Sequence, residues 1–179
     1  TMRSTVGYAF STVGSNYRVG FTVISDSGVT QGRNFFVDVA DFDATQKSLF
    51  YESLYTAAGN ATTPLRGALS KAGRYFGNAF SGQKDPVQYS CQRNYAILST
   101  DGYWNTHDET ATYTSLQLDG TTAVGQQDGN EQRPMKDSPV SGEASSDSLA
   151  DIAEYYHITD LRTQALGNCS GAAVNGVQG

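Results

Sequence analysis

The apolar positions that open the chain, Met2, Val6, Ala9, Phe10 and Val13, recur at helical spacing and stop at Gly14. The chain is therefore predicted to begin inside an amphipathic helix. The period then changes. Residues 17–25 (YRVGFTVIS) and 34–42 (NFFVDVADF) are rich in β-branched and aromatic side chains, and the segment between them carries two glycines and an Asp-Ser-Gly turn signal. That combination predicts an antiparallel hairpin. Asp43 and Gln46 have the spacing of a capping box, and Phe50, Leu54 and Ala57 mark a helix ending at Gly59-Asn60. A further helix has Thr63 as its N-cap, Pro64 at its first position, and a stripe of Leu65, Ala68, Leu69, Ala72 and Phe76 ahead of Gly77.

Residues 94–105 (NYAILSTDGYWN) break the pattern. Tyr95, Ala96, Ile97 and Leu98 form a continuous apolar run, as in a strand covered on both faces, and the run ends on Thr-Asp-Gly. A strand serving only the core gains nothing by ending on Asp, which is costly to desolvate, or on Gly, which gives up packing. The tip is expected to use its oxygen atoms. Residues 106–145 are polar, glycine-rich and without sustained periodicity, and are read as a polar insertion, either functional or unstructured. After it, Ser146 as cap, Asp147 in the first turn, and Leu149, Ile152, Ala153 and Tyr156 on one face predict a last helix. There is no internal repeat.

Strands alternating with amphipathic helices, one strand covered on both faces and one hairpin predict a single α/β domain over residues 1–179, with a mostly parallel sheet flanked by helices. Ligands of such sheets bind beyond the carboxyl ends of the strands, which places Asp101 at the expected ligand edge. If Thr63 heads a helix entering from the same edge, a carboxylate and a hydroxyl face one small region. Hard oxygen donors of that kind suit Mg²⁺ better than zinc.

Composition narrows the function. The chain of 179 residues is 38% hydrophobic, enough for one well-buried core. Its net charge of −6, without a Lys/Arg cluster, argues against nucleic acid as a partner. No apolar run is long enough to insert in a membrane, and the first residues lack the regions of a signal peptide. Eleven Tyr, eight Phe and 19 Gly with only 17% charged residues point toward an exported surface protein. Cys91 and Cys169 match no zinc spacing; a disulfide and two unrelated thiols both fit the sequence. His107 and His157 are unpaired in spacing, no serine lies in a Gly-x-Ser-x-Gly elbow, and no enzyme signature is present. Asp119-Gly120 and Asp128-Gly129 lack the ligand spacing of a calcium loop and are read as turns.

TPLRGAL (63–69) followed by ILSTDG (97–102) resembles the von Willebrand factor type A family, whose metal-ion-dependent adhesion site joins a Thr opening a helix to a later Thr-Asp-Gly. The resemblance implies a Rossmann-like sheet and a metal role for Thr63 and Asp101. The family's Asp-x-Ser-x-Ser does not stand in the right place; DETAT (108–112) follows the Asp101 loop and is read as coincidence. Because the opening helix resembles the one after that motif, the chain is expected to begin just downstream of it, incomplete at its N-terminus and with the family's first strand missing from the sheet. Thr63 and Asp101 alone supply two protein ligands of the six an octahedral Mg²⁺ needs, so tight binding of Mg²⁺, Ca²⁺ or Mn²⁺ is expected of the complete domain and not of these residues alone.

A narrower resemblance covers nearly the whole chain. YRVGF, TPLRGAL, CQRNYAILSTDGYWN and SLADIAEYYHITDLR resemble the PilC/PilY family, tip-associated adhesins and biogenesis factors of bacterial type IV pili. It implies export to the periplasm, outer surface or pilus tip of a Gram-negative bacterium, a role in adhesion and twitching motility, and minor pilins, pilus tip proteins or host-surface ligands as partners. Tyr103, Trp104, Asn105 and Tyr113, beside the Asp101 loop, are the candidate partner contacts. Two alternatives stand beside this reading: a structural domain docking onto minor pilins without metal, and an extracellular type A domain of the animal kind, for which N-x-T at 60–62 and N-x-S at 168–170 are suggestive.

Overall fold

The hairpin forms where the β-rich runs predict it, over shorter spans. In the computed structural model, β1 (Arg18–Phe21) pairs antiparallel with β2 (Val37–Asp41). The model describes residues 2–25, 36–57, 63–89, 92–100, 115–127, 146–163 and 166. These divide into two compact units, one of Thr1–Thr63 with Ser99–Trp104 and one of Pro64–Leu98 with Asn105–Gly179. The architecture is mixed α/β.

In the first unit, α2 (Ala44–Thr56) packs on the hairpin and α1 (Met2–Ser11) packs on α2. A two-stranded hairpin is marginal in water, so its apolar face needs a partner. Phe42, Phe50 and Leu54 supply it, with Val6, Phe10, Val13, Val19, Phe21 and Tyr51 packed around them. Phe42 is fully buried and meets Phe50 edge-on at 5.4 Å between ring centroids, and Phe21 meets Phe50 in the same way at 5.8 Å. Burial of each such side chain contributes about 2 kcal/mol.

The register of the hairpin shifts. Val19 lies opposite Ala40 but Phe21 lies opposite Val37, so two residues of β2, Asp38 and Val39, face Gly20 alone. This bulge breaks the ladder locally, and Gln46 repairs it: its Nε2 donates to the carbonyls of Val19 (2.6 Å) and Asp38 (2.7 Å). Asp43 caps α2 as expected, accepting from the Gln46 backbone N–H at 2.9 Å. The Gln46 side chain does not close a capping box, because the sheet carbonyls have claimed it.

In the second unit, α3 (Leu65–Phe76) packs on α4 (Leu149–Ile158). The predicted stripe of α3 is displaced. Leu65, Gly67, Ser70, Gly73 and Tyr75 are the buried positions, whereas Ala68, Leu69, Ala72 and Phe76 are half-buried. The reason is close approach: a Cβ on Gly73 would lie 2.3 Å from the Tyr156 ring, and one on Gly77 would lie 2.0 Å from Leu118. The helix ends in a Schellman motif, with Ala79 N–H donating to Arg74 O and Asn78 N–H to Tyr75 O. Its left-handed residue is Asn78, at φ 56°, and not Gly77. Arg162 seals this end, donating from Nε to Phe76 O at 2.6 Å while its guanidinium grips Asp85 through both terminal nitrogens.

Three further expectations change. Ser148, not Ser146, caps α4; it forms a capping box with Asp151, and Asp147 stands before the helix at φ 59°. Ala153 is exposed, and buried Asp151 takes the place expected of an apolar residue beside Ile152. Within the supposed polar insertion, residues 115–124 form a small hairpin with a bridge between Leu116 and Ala123 and with Ser115 and Val124 buried.

The largest departure is the apolar run at 95–98. It forms no strand; Tyr95 is 74% and Ile97 80% exposed. A strand covered on both faces also needs a neighbour on each edge, and no strand among the described residues pairs with this run. The only sheet among them is the antiparallel pair β1–β2, so the expected mostly parallel sheet is not found there.

Candidate functional site

Thr63 stands at the head of α3, half-buried, one residue before the N-cap position. That position is taken by Pro64 (φ −79°, ψ 70°), which offers no side-chain cap, and the first helical bond runs from Ala68 N–H to Pro64 O at 3.0 Å. Proline biases the residue before it toward extended backbone, which holds Thr63 outside the helix. The expectation that Thr63 caps α3 is thus corrected by one residue.

Ser99 and Thr100, which lead into Asp101, are exposed and belong to the same compact unit as Thr63. Asp101, Tyr103, Trp104, Asn105 and Tyr113 lie outside the described residues, as do Cys91, Cys169, His107 and the 108–112 stretch. Of the two expected metal ligands the described structure therefore holds one, a single hydroxyl, which is no cation site by itself. Among the described residues no group of three or more His, Cys, Asp or Glu side chains is disposed to hold a metal. His157 is exposed in the last turn of α4. No helix among the described residues is long and apolar enough to cross a membrane.

Sequence reasoning missed a polar junction in the second unit. Ser70 of α3 donates its hydroxyl to Leu116 O (2.7 Å) and accepts from Leu116 N–H (3.0 Å). Tyr156 donates to the same carbonyl at 2.6 Å, and the Tyr155 hydroxyl accepts from Leu118 N–H at 3.2 Å. One peptide of the small hairpin is thus bound from both helices. Burial pushes the Tyr156 hydroxyl up to about 12. At the hairpin tip, Asp119 accepts from the Thr122 hydroxyl and from the Thr122 and Thr121 amides, which holds its carboxyl down at about 2. The Asp-Gly turn is as read from sequence, with Gly120 at φ 71°. Only the spacing of Ser70, Gly73 and Gly77, a run of small residues one helical turn apart, hinted that something packs closely there.

Comparison with known proteins supplies the family. The chain is 30% identical over 172 residues to "Type IV pilus biogenesis factor PilY1" of Pseudomonas aeruginosa strain PAO1, a match covering 86% of the chain and 14% of that protein. The chain belongs to the PilY1 family. The factor of the same name in strain UCBPP-PA14 is 34% identical over 124 residues, covering 68% of the chain and 10% of the relative. That of strain PAK is 26% identical over 166 residues. The chain thus spans about one-seventh of the PilY1 relatives it matches. No family model matches, and no solved structure matches.

Proposed function

We propose that the chain is an adhesion and assembly module of a type IV pilus-associated protein, engaging a partner through the edge that carries Thr63 and Asp101. Membership of the PilY1 family over 86% of the chain carries the pilus part of this reading. The grouping of Thr63 with Ser99 and Thr100 in one compact unit, across a long separation in sequence, supports the edge. A type A-like fold in the full-length protein follows from the same reading, with Mg²⁺, Ca²⁺ or Mn²⁺ as the cation. When bound there, the cation would leave a coordination position open to a partner carboxylate. The chain's own part is to hold two oxygen donors, one at a helix head and one at the end of an apolar run, and to flank them with Tyr103, Trp104, Asn105 and Tyr113. Export to the periplasm, outer surface or pilus tip of a Gram-negative cell accompanies this function, with minor pilins, other tip proteins or a host surface as the partner. No enzymatic step is part of it.

Binding of minor pilins to the protein in its full-length context tests the proposal. Chelation by EDTA is expected to weaken binding at least tenfold, about 1.4 kcal/mol, and Thr63→Ala and Asp101→Ala to do the same. Unchanged affinity in EDTA would overturn the metal-dependent reading and favour docking without metal. For the 179 residues alone, calorimetric titration with Mg²⁺ or Mn²⁺ is expected to show no micromolar binding, since two ligands leave most of an octahedral shell to water.

A further inference from the structure

The C-terminal end of α3 is closed without help from Arg74, the basic residue of its last turn. A helix leaves its last four carbonyls without an intrahelical donor, and here each is claimed by another group. Gly73 O accepts from Gly77 N–H, Arg74 O from Ala79 N–H and Tyr75 O from Asn78 N–H, each at 3.0 Å. Tyr75 O also accepts from Gln83 Nε2 at 2.9 Å, and Phe76 O accepts from Arg162 Nε at 2.6 Å. The carboxylates on the neighbouring loops are engaged as well, Asp85 by Arg162 and Asp119 by Thr121 and Thr122. What remains to the Arg74 guanidinium is an aromatic ring and a glycine. Its Cζ lies 5.2 Å from the Phe80 centroid, and at Gly120 a Cβ would come within 3.6 Å of Nη1. Arg74 Nε is shut from solvent with no hydrogen-bond partner, and among the described residues no hydrogen bond or ion pair reaches the guanidinium. Shielding a charged donor in that way costs stability unless an acceptor meets it.

We propose that Arg74, stacked on Phe80 and flanked by Gly120, is a receptor for a carboxylate that a partner protein presents on an Asp or Glu side chain. The ring holds the guanidinium plane in place, so little of its freedom remains to be lost on binding. Its planar fork of donors can grip both oxygens of a carboxylate at once, and Gly120 brings no side chain against that fork. The ligand is a carboxylate and not a phosphate on grounds of charge. Asp119, next to Gly120, holds its carboxyl ionised, and the chain carries a net charge of −6, so a single negative charge meets less repulsion there than a phosphate. The receptor lies wholly within the second unit and uses no metal.

The test titrates the 179-residue chain in EDTA with sodium acetate, with acetyl-glutamate amide and with inorganic phosphate, and follows the Nε–H resonances of arginine and the Gly120 amide by NMR. Arg93, which is exposed, is the internal control. Acetate and acetyl-glutamate amide are expected to shift the Arg74 and Gly120 signals saturably, at a concentration about tenfold below any response of Arg93. Arg74→Lys keeps the charge but not the fork and should abolish the Gly120 response, while Phe80→Leu should weaken it about threefold. An Arg74 signal that moves no more than that of Arg93, or a Gly120 response that survives Arg74→Lys, would overturn the receptor. Tighter binding of phosphate than of acetate would overturn the carboxylate assignment, and acetate binding without acetyl-glutamate amide binding would overturn the protein side chain as its source.

Discussion

The two units solve the same problem with opposite materials. The first surrounds its strands with aromatic rings: Phe10, Phe21, Phe42, Phe50 and Tyr51 form a chain of edge and tilted contacts at 4.9–6.2 Å between centroids. The second packs α3 on α4 where Gly73 meets the Tyr156 ring and fastens loops to the helices with side-chain-to-backbone hydrogen bonds made by Ser70, Tyr156, Asp151 and Arg162. Apolar burial is non-directional and tolerates imprecise geometry. A bonded junction fixes position but costs dearly when one member is lost, because its partner is left buried and unsatisfied. The units should therefore differ in how they fail.

Truncation in the aromatic cluster has the largest expected effect. Phe42→Ala removes a fully buried ring and leaves a cavity beside Phe50 and Phe10, so it should cost about 3–5 kcal/mol in a denaturant unfolding series. A polar tie inside this unit, one of several there beside those of Tyr51 to Gly7 O and Arg18 to Val39 O, sharpens the contrast. Gln46→Leu keeps the volume but leaves the Val19 and Asp38 carbonyls without a donor, and should cost about 2 kcal/mol. A null result would mean that the bulge is met by water, and that the unit tolerates a broken ladder.

The same contrast governs how much could be read from the sequence. The first unit was largely legible because apolar burial is its cause: Val6 and Phe10 pack where the helical spacing puts them and the hairpin pairs in the expected sense, although Met2 and Ala9 are exposed and Val13 packs from beyond the end of α1. The second was misread wherever a small or polar residue had taken an apolar residue's place. Ser70, Gly73 and Asp151 carry no hydrophobic signal, yet they line the α3–α4 contact and the head of α4. Residues 115–124 read as polar insertion because their docking runs through the backbone of Leu116 as well as through buried Val124, and backbone bonds leave no mark in an apolar pattern. Of the candidate edge, Thr63 stands one residue ahead of the cap position read for it, which Pro64 takes. The 95–98 run shows the converse error: an apolar pattern states what a segment would bury and says nothing of whether a neighbour is there to receive it.

Gly73→Ala probes the small-residue face directly. The added methyl meets the Tyr156 ring at 2.3 Å, and that ring is tethered through its hydroxyl to Leu116 O. Overpacking of this kind costs about 1–3 kcal/mol, from which about 1 kcal/mol of helix propensity is recovered. A net loss is expected in thermal unfolding of the single variant, and its suppression in the double variant with Tyr156→Phe would show that the tether, not the volume, opposes the methyl.

The smallest effect distinguishes the two units by pH. The Tyr156 hydroxyl ionises near 12 in the folded chain and near 10 when free, because burial disfavours the phenolate. The unfolded chain therefore releases this proton first. The sign follows: the contribution of Tyr156 is fully present below pH 10 and is lost as pH rises from 10 toward 12. Tyr156→Phe should lower stability modestly at neutral pH, by about 1 kcal/mol for one bond to a carbonyl that Ser70 also serves, and should flatten the alkaline decline. The aromatic cluster of the first unit, whose one phenol is Tyr51, offers no matching control at Phe42, so Phe42→Ala should leave the slope between pH 10 and 12 unchanged. If the slope persists in Tyr156→Phe, the bonded junction is not what titrates, and the comparison between the units loses its electrostatic half.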